Sequence, residues 1–309
     1  MFSSLTNLFA PGTVIQIHLD ATSGRATKRV VFEGGGFEEL YIYKGTEGVK
    51  GEVTVSPQGG RAVDHAGVKI ELVGQIEMLF ENGGTPFLFA SLICELCPAG
   101  RLEHVSTFPF SFPGTDKMYE SYNGMNVRLR YVLRVTVSRN LPALAVIADK
   151  DIWVVNTSPP PADNPPLRTE VGIADCLHIE VEWNKEKYHL REVIFGKVSF
   201  LKVRIKIKSM EIALLRREKA GNGDAMRQSP AKGSLDSETL GKIEVMDGCP
   251  VRNEDIPIRI FLAQFDSLTP TFSNVNNQFS TRYSLNIVIV DESGRRYFKQ
   301  QEIGLYRRD

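Results

Sequence analysis

Two cysteines three positions apart, Cys94 and Cys97, are the first candidates for chemistry. A C-x-x-C pair can hold zinc or cycle between thiol and disulfide. Their setting, FLFASLICELC, reads as a strand, and in a strand residues three apart point to opposite faces, so the two sulfurs are expected to diverge. No second C-x-x-C or H-x-x-x-H follows to complete a tetrahedral site,. Buried, reduced thiols are the expected reading of the pair; the isolated Cys176 and Cys249 are expected to be structural. The five histidines (18, 65, 104, 178 and 189) are scattered. His18 and His178 alternate with apolar residues, which aims them at solvent or a domain seam. There is no nucleophile elbow, zinc-protease helix, phosphate loop, dinucleotide fingerprint or calcium loop,. Only a site assembled in space from distant residues would support catalysis. The expectation is therefore a protein that is not an enzyme, with no cofactor and no metal.

One charge pattern stands apart. Lys202, Arg204, Lys206 and Lys208 alternate with Val203, Ile205 and Ile207. Such a strand presents four cations on one face, either as a solvated face that discourages edge pairing or as a basic patch for acidic residues or lipid head groups. The whole chain carries 37 basic and 37 acidic residues, so no global field draws it to nucleic acid or to an anionic membrane,. The opening MFSSLTNLFAPG lacks the basic start and apolar run of a signal peptide,. With no apolar stretch of membrane-spanning length, a cytosolic location is expected. Asn156-Thr157-Ser158 is then a chance match to the glycosylation triplet.

The elements that must position any site are mostly strands. Val127, Leu129, Tyr131, Leu133, Val135 and Val137 alternate with polar residues, and so do Leu177, Ile179, Val181 and Trp183, and Tyr283, Leu285, Ile287 and Ile289. Half-buried antiparallel strands produce this period of two. Glycine, proline and asparagine punctuate the runs at short intervals, which points to sandwiches rather than βαβ units. The segment Leu141–Lys150 is expected to form a short helix. With 309 residues the chain suits two domains,: an N-terminal sandwich over 1–155, a proline-rich linker over 156–168 and a C-terminal sandwich over 169–309. The polar, Gly/Ser-rich stretch 218–239 is expected to be a disordered loop. Ser229 before Pro230 is a candidate phosphorylation switch there, with a bare spacer as the plain alternative.

Several long segments are specific. They include EVGIADCLHIEVEWNKEKYHL over Glu170–Leu190, the strand KVRIKIKSMEI, EVMDGCP over Glu244–Pro250, IPIRIFLA over Ile256–Ala263, and RRYFKQQEI over Arg295–Ile303. The first half adds Gly74-Gln75-Ile76-Glu77 and YESYNGMNVRLRYVL over Tyr119–Leu133. Together they resemble the vacuolar protein sorting 26 family, the arrestin-like small subunit of retromer, over nearly the whole chain. The resemblance implies an all-β fold of two tandem arrestin-like sandwiches. It implies a non-catalytic adaptor that docks on retromer's large α-solenoid subunit and, with a sorting nexin, selects the cytosolic tails of membrane-protein cargo. It would sit peripherally on endosomes, with indirect membrane association and no nucleic-acid partner.

Site residues follow from the same resemblance at matching positions. Val245 and Met246 are the pair that docks on the solenoid, with valine where the family usually has isoleucine. Gly248 and Pro250 favour a turn that would hold the pair out on a loop, and Arg259 adds a charged contact. Val171 and Phe298 are implied to line a pocket where a cargo tail with an aromatic-x-aliphatic motif lies down as an added strand. The chain ends at Asp309 where family members often continue into a polar tail. Alternatives are an arrestin-domain receptor adaptor acting without retromer, the equivalent subunit of the retriever complex, and a sandwich enzyme or ligand-binding module. The first of these often carries P-P-x-Y motifs, and none occurs here.

Overall fold

The computed structural model describes residues 12–20, 24–31, 35–59, 62–80, 84–114, 116–140, 143–173, 176–221 and 234–308. Among them every regular element is a strand apart from a 3-10 turn at Leu262–Gln264. The chain divides into two units, Met1–Asn156 and Thr157–Asp309.

In the first unit the strands are β1 (Thr13–Leu19), β2 (Thr27–Val31), β3 (Phe37–Lys44), β4 (Val49–Pro57), β5 (Val63–Met78), β6 (Phe87–Leu102), β7 (Ser106–Phe112), β8 (Tyr122–Asn123), β9 (Val127–Ser138) and β10 (Val146–Val155). A three-stranded sheet runs β1-β4-β7, and a seven-stranded sheet runs β2-β3-β10-β9-β5-β6 with β8 beside β9. The alternation seen in the sequence is the burial pattern itself: Val127, Leu129, Tyr131, Leu133, Val135 and Val137 are all buried. On the opposite face of β9, Arg128 and Arg130 reach Asp151 at 3.1 and 2.5 Å, and Arg130 also reaches Glu77 at 3.0 Å. Burial would make any one of these charges costly alone. The pairing is what makes them tolerable.

In the second unit the strands are β11 (Leu167–Ile173), β12 (Leu177–Trp183), β13 (Lys187–His189), β14 (Val193–Val203), β15 (Ile207–Ala220), β16 (Ser234–Asp247), β17 (Asp255–Phe261), β18 (Phe272–Val275), β19 (Phe279–Asp291) and β20 (Arg296–Tyr306). A four-stranded sheet, β11-β12-β14-β17, faces a six-stranded one, β13-β20-β19-β15-β16, with β18 beside β19. The core is built on Trp183, Tyr188, Phe200 and Tyr283, all fully buried. Gly196, paired with Trp183, is required there: a Cβ at 196 would lie 2.6 Å from the indole ring.

Several expectations are corrected. Residues 146–150 of the expected helix belong to β10, which pairs with β9 and β3. The weak helical preference of that alanine-containing stretch yields to ladder hydrogen bonds and burial of Val146 and Ile152,. Leu167 and Arg168, assigned to the linker, are the first residues of β11. Asn164 is also tied into the second unit, giving its amide to the Lys187 carbonyl at 2.7 Å and accepting from the N–H groups of Glu186 and Lys187.

Of the stretch expected to be disordered, residues 218–220 and 234–239 form the paired ends of β15 and β16, with Ala220 opposite Ser234 and Glu218 fully buried. Backbone pairing orders a polar sequence whose side chains do not demand it. The middle of that stretch, including Ser229, lies outside the described residues.

The run of four cations is not one strand. Lys202 is the penultimate residue of β14, Arg204 to Lys206 form the connection, and Lys208 is the second residue of β15. The chain changes sheets there, so the alternation continues through a crossover. The cysteines of β6 are corrected too. Cys97 stands opposite Val68 and Cys94 opposite Ile70, with a bulge between, so both thiols share one face,. All four cysteines are free, but the expected burial of Cys94 and Cys97 is corrected, since both are only half-buried.

Candidate functional site

Two strand edges meet along one side of the second unit. β11 ends its sheet, and β20 is covered by β13 only at Gly304–Tyr306. Among the described residues, Arg296–Ile303 therefore have no ladder partner on the side away from β19. Gly304 gives its N–H to the Glu186 carbonyl on that side. Since backbone groups alternate along a strand, Phe298, Gln300 and Glu302 direct theirs the same way, toward the open edge.

Thr169, nearly fully buried on β11, donates its hydroxyl to the side-chain carbonyl of Gln301 on β20 at 2.6 Å. β11 runs toward the end of the sandwich formed by the β11–β12 and β19–β20 turns, and β20 runs away from it. Counting two residues from this bond toward that end on both strands brings Val171 level with Lys299, beside Phe298. Val171 is 7% exposed and belongs to the core, whereas Phe298 is 60% exposed and stands on the outer face opposite Val288. The pair is thus one buried and one exposed group flanking an open edge.

The turn that starts β20 is pinned by Asp291. One oxygen accepts from the Ser293 hydroxyl at 2.6 Å and the Arg295 N–H at 2.9 Å; the other accepts from the Tyr297 hydroxyl at 3.0 Å. The Ser293 bond, followed by the others, holds the Asp291 carboxyl below the usual range, and the same carboxylate pushes the Tyr297 phenol up.

Val245 and Met246 lie on β16, the edge strand of the six-stranded sheet, which corrects their expected place on a loop. The polar–apolar alternation of Lys242 to Met246 breaks at this pair, and the structure shows why. Met246 pairs with Met210 and Glu244 with Glu211, so Val245 is the extra residue of a bulge. A bulge turns two successive side chains toward one side, and both residues are half-buried against the rim of the core. The turn begins just after them: Gly248, at φ 103°, gives its N–H to the Lys208 carbonyl at 2.7 Å. That φ lies in the left-handed region that favours glycine. Arg259 is exposed on β17, in the other sheet, opposite Phe195. Phe195 and Phe261 are 47% and 55% exposed, an aromatic surface around Arg259 that the alternation of β14 and β17 signals only as two apolar residues on an otherwise polar face.

Reactive groups are dispersed. Among the described residues no three His, Cys, Asp or Glu side chains gather as metal ligands. His178 stands 3.5 Å from Glu170 on an exposed face, and His189 packs against Tyr306. Burial, followed by the positive charge of Arg308, pushes the His189 imidazole below its usual value. No described helix is long and apolar enough to cross a membrane. The arrangement offers backbone, apolar and cationic surfaces for binding. The Thr169–Gln301 link was not foreseen from the sequence, where nothing marks two polar residues 132 positions apart as partners.

Comparison with known proteins identifies the family. The family model described as vacuolar protein sorting-associated protein 26 matches residues 9–294. The chain is 47% identical over 304 residues to vacuolar protein sorting-associated protein 26 of Dictyostelium discoideum, covering 98% of this chain and 84% of that one. It is 47% identical over 303 residues to vacuolar protein sorting-associated protein 26B of Arabidopsis thaliana, covering 98% and 97%. It is 46% identical over 294 residues to the Schizosaccharomyces pombe protein 26, covering 95% of each chain.

Proposed function

Because the chain belongs to the vacuolar protein sorting-associated protein 26 family, we propose that it is the arrestin-like adaptor subunit of the retromer coat, a binding protein without catalysis. A role in vacuolar protein sorting follows from the membership. The finer reading has two surfaces. Val245 and Met246, with Gly248 shaping the turn and Arg259 adding charge, dock on the large α-solenoid subunit. The open edge of β20, with Phe298 and Val171, takes the cytosolic tail of a membrane-protein cargo in concert with a sorting nexin. The protein then acts from the cytosol on the endosome surface, held there through its partners.

The observation that carries this reading is the stretch Arg296–Ile303, which among the described residues has no ladder partner on its outer edge and which carries the exposed Phe298. An open ladder supplies hydrogen bonds to any peptide, and an exposed ring beside it supplies sequence choice. Calorimetric titration of an aromatic-x-aliphatic tail peptide against the chain with its sorting nexin tests it. Saturable binding by the wild type that Phe298→Ala weakens supports the reading; equal binding by both proteins rejects it.

A further inference from the structure

The end of the sandwich where β20 begins is crowded with cations. Arg204 on the β14–β15 connection gives its N–H to the Cys176 carbonyl, which ties that connection to the β11–β12 turn. Glu292 gives its N–H to the Lys206 carbonyl, which ties the same connection to the β19–β20 turn. Arg204 is thereby placed at the end of the sandwich where β20 begins with Arg295 and Arg296, with Lys299 three residues further along that strand, and all four are exposed.

The carboxylates there are largely occupied. Glu292 pairs with Lys206 at 3.5 Å, and Asp291 is engaged by Ser293, Arg295 N–H and Tyr297. At the far end of the groove Glu302 pairs with Arg282 at 3.3 Å. Glu170 points outward on β11, beside His178. Asp175 lies outside the described residues. Among the described residues Arg204, Arg296 and Lys299 form no ion pair with any of these acids.

We propose that this mouth reads a negatively charged residue, a carboxylate or a phosphorylated hydroxyl, in the peptide tail that lies beside Phe298. The inference rests on the peptide-groove reading above and names what the groove prefers. The spacing fits a strand. Arg296 stands two residues from Phe298 on the same face, about 7 Å away at the rise of a strand. A peptide paired with β20 that sets its apolar anchor opposite Phe298 brings the residue two positions nearer the mouth opposite Arg296, while Lys299 follows Phe298 on the other face of the strand. A cationic rim around an apolar anchor on an open edge suits a peptide that presents both groups in register. A lipid head group has no use for the edge.

The test uses the full chain with its sorting nexin and three versions of one aromatic-x-aliphatic peptide. These carry alanine, glutamate or phosphoserine two residues from the anchor, placed on either flank in turn. At about 0.1 M salt, glutamate on the mouthward flank is expected to tighten binding about threefold and phosphoserine about tenfold, and both gains shrink at 0.5 M. In a protein carrying Arg296→Gln and Lys299→Gln the ratio of charged to uncharged affinity falls to about one. If the alanine peptide binds and Phe298→Ala weakens it, yet neither charged flank helps, the charge reading is overturned while the groove stands. If the alanine peptide does not bind, or Phe298→Ala leaves it unchanged, the groove reading falls and this inference with it. Phosphatidylserine vesicles without peptide form the last arm. Loss of vesicle binding in the Arg296→Gln, Lys299→Gln protein, with the peptide ratio unchanged, overturns the proposal in favour of a membrane contact.

Discussion

Thr169 Oγ1 lies 2.6 Å from the side-chain oxygen of Gln301, a hydrogen bond that joins the outermost strand of the four-stranded sheet to β20 of the other. It closes the side of the sandwich at one level and leaves the edge open beyond it. Thr169→Val keeps the shape and removes the donor. It is expected to cost about 1 kcal/mol in chemical denaturation and to weaken tail-peptide binding as well, because the two edges lose their fixed spacing. A loss of stability with peptide affinity unchanged would separate the bond from the groove.

Phe298→Ala removes a ring that is 60% exposed, so the melting temperature should hardly move,. If the ring anchors a tail, binding should weaken by about 30-fold, the equivalent of about 2 kcal/mol. Assembly with the solenoid subunit should persist. Peptide titration and co-purification of the same variant check both halves.

The buried charges of the first unit make a separate expectation. Asp151, with its side chain 5% exposed, serves both Arg128 and Arg130. Asp151→Asn removes the counter-charge shared by two largely buried guanidinium groups, of which Arg130 keeps Glu77, and should cost about 3 kcal/mol,. Equilibrium unfolding in urea measures it. A cost under 1 kcal/mol would mean that Glu77 and the remaining contacts sustain the network.

The Asp291 turn gives a pH dependence with a definite sign. Its carboxyl is held below the ordinary 3.8 by the Ser293 hydroxyl first, then by the Arg295 N–H and the Tyr297 hydroxyl. A depressed carboxyl contributes stability that is complete above its unfolded value and is lost as pH falls through the folded one. Hydrogen exchange of the β19–β20 turn should therefore quicken as pH drops from about 4 downward, after correction for intrinsic rates. In Asp291→Asn the turn should exchange faster at neutral pH and lose that acid response. Unaltered protection in the variant would show that the turn does not depend on the carboxylate.

Strand periodicity was legible wherever one face is buried, as in β9, β12 and β19, because burial writes a period of two into the sequence. It failed where pairing overrode composition. Residues 146–150 and the ends of the polar 218–239 stretch became strand through ladder bonds that no local preference announces. The cations at 202–208 read as one strand because the alternation carries across a change of sheet. Bulges were invisible as well. The extra residue in β6 sets Cys94 and Cys97 on one face, and Val245 in β16 turns with Met246 toward the core rim. Family resemblance supplied the residue positions, while their burial and their edges came only with the fold.

The half-buried Val245–Met246 pair at the rim of β16 is the proposed grip on the solenoid partner. Size-exclusion chromatography of the purified chain mixed with the large α-solenoid retromer subunit tests it most directly, wild type against Met246→Asp, with circular dichroism confirming that the variant is folded. The wild type should co-elute with the solenoid and the folded variant should elute alone. A wild type that elutes alone, or a folded Met246→Asp protein that still co-elutes, would rule out this docking surface.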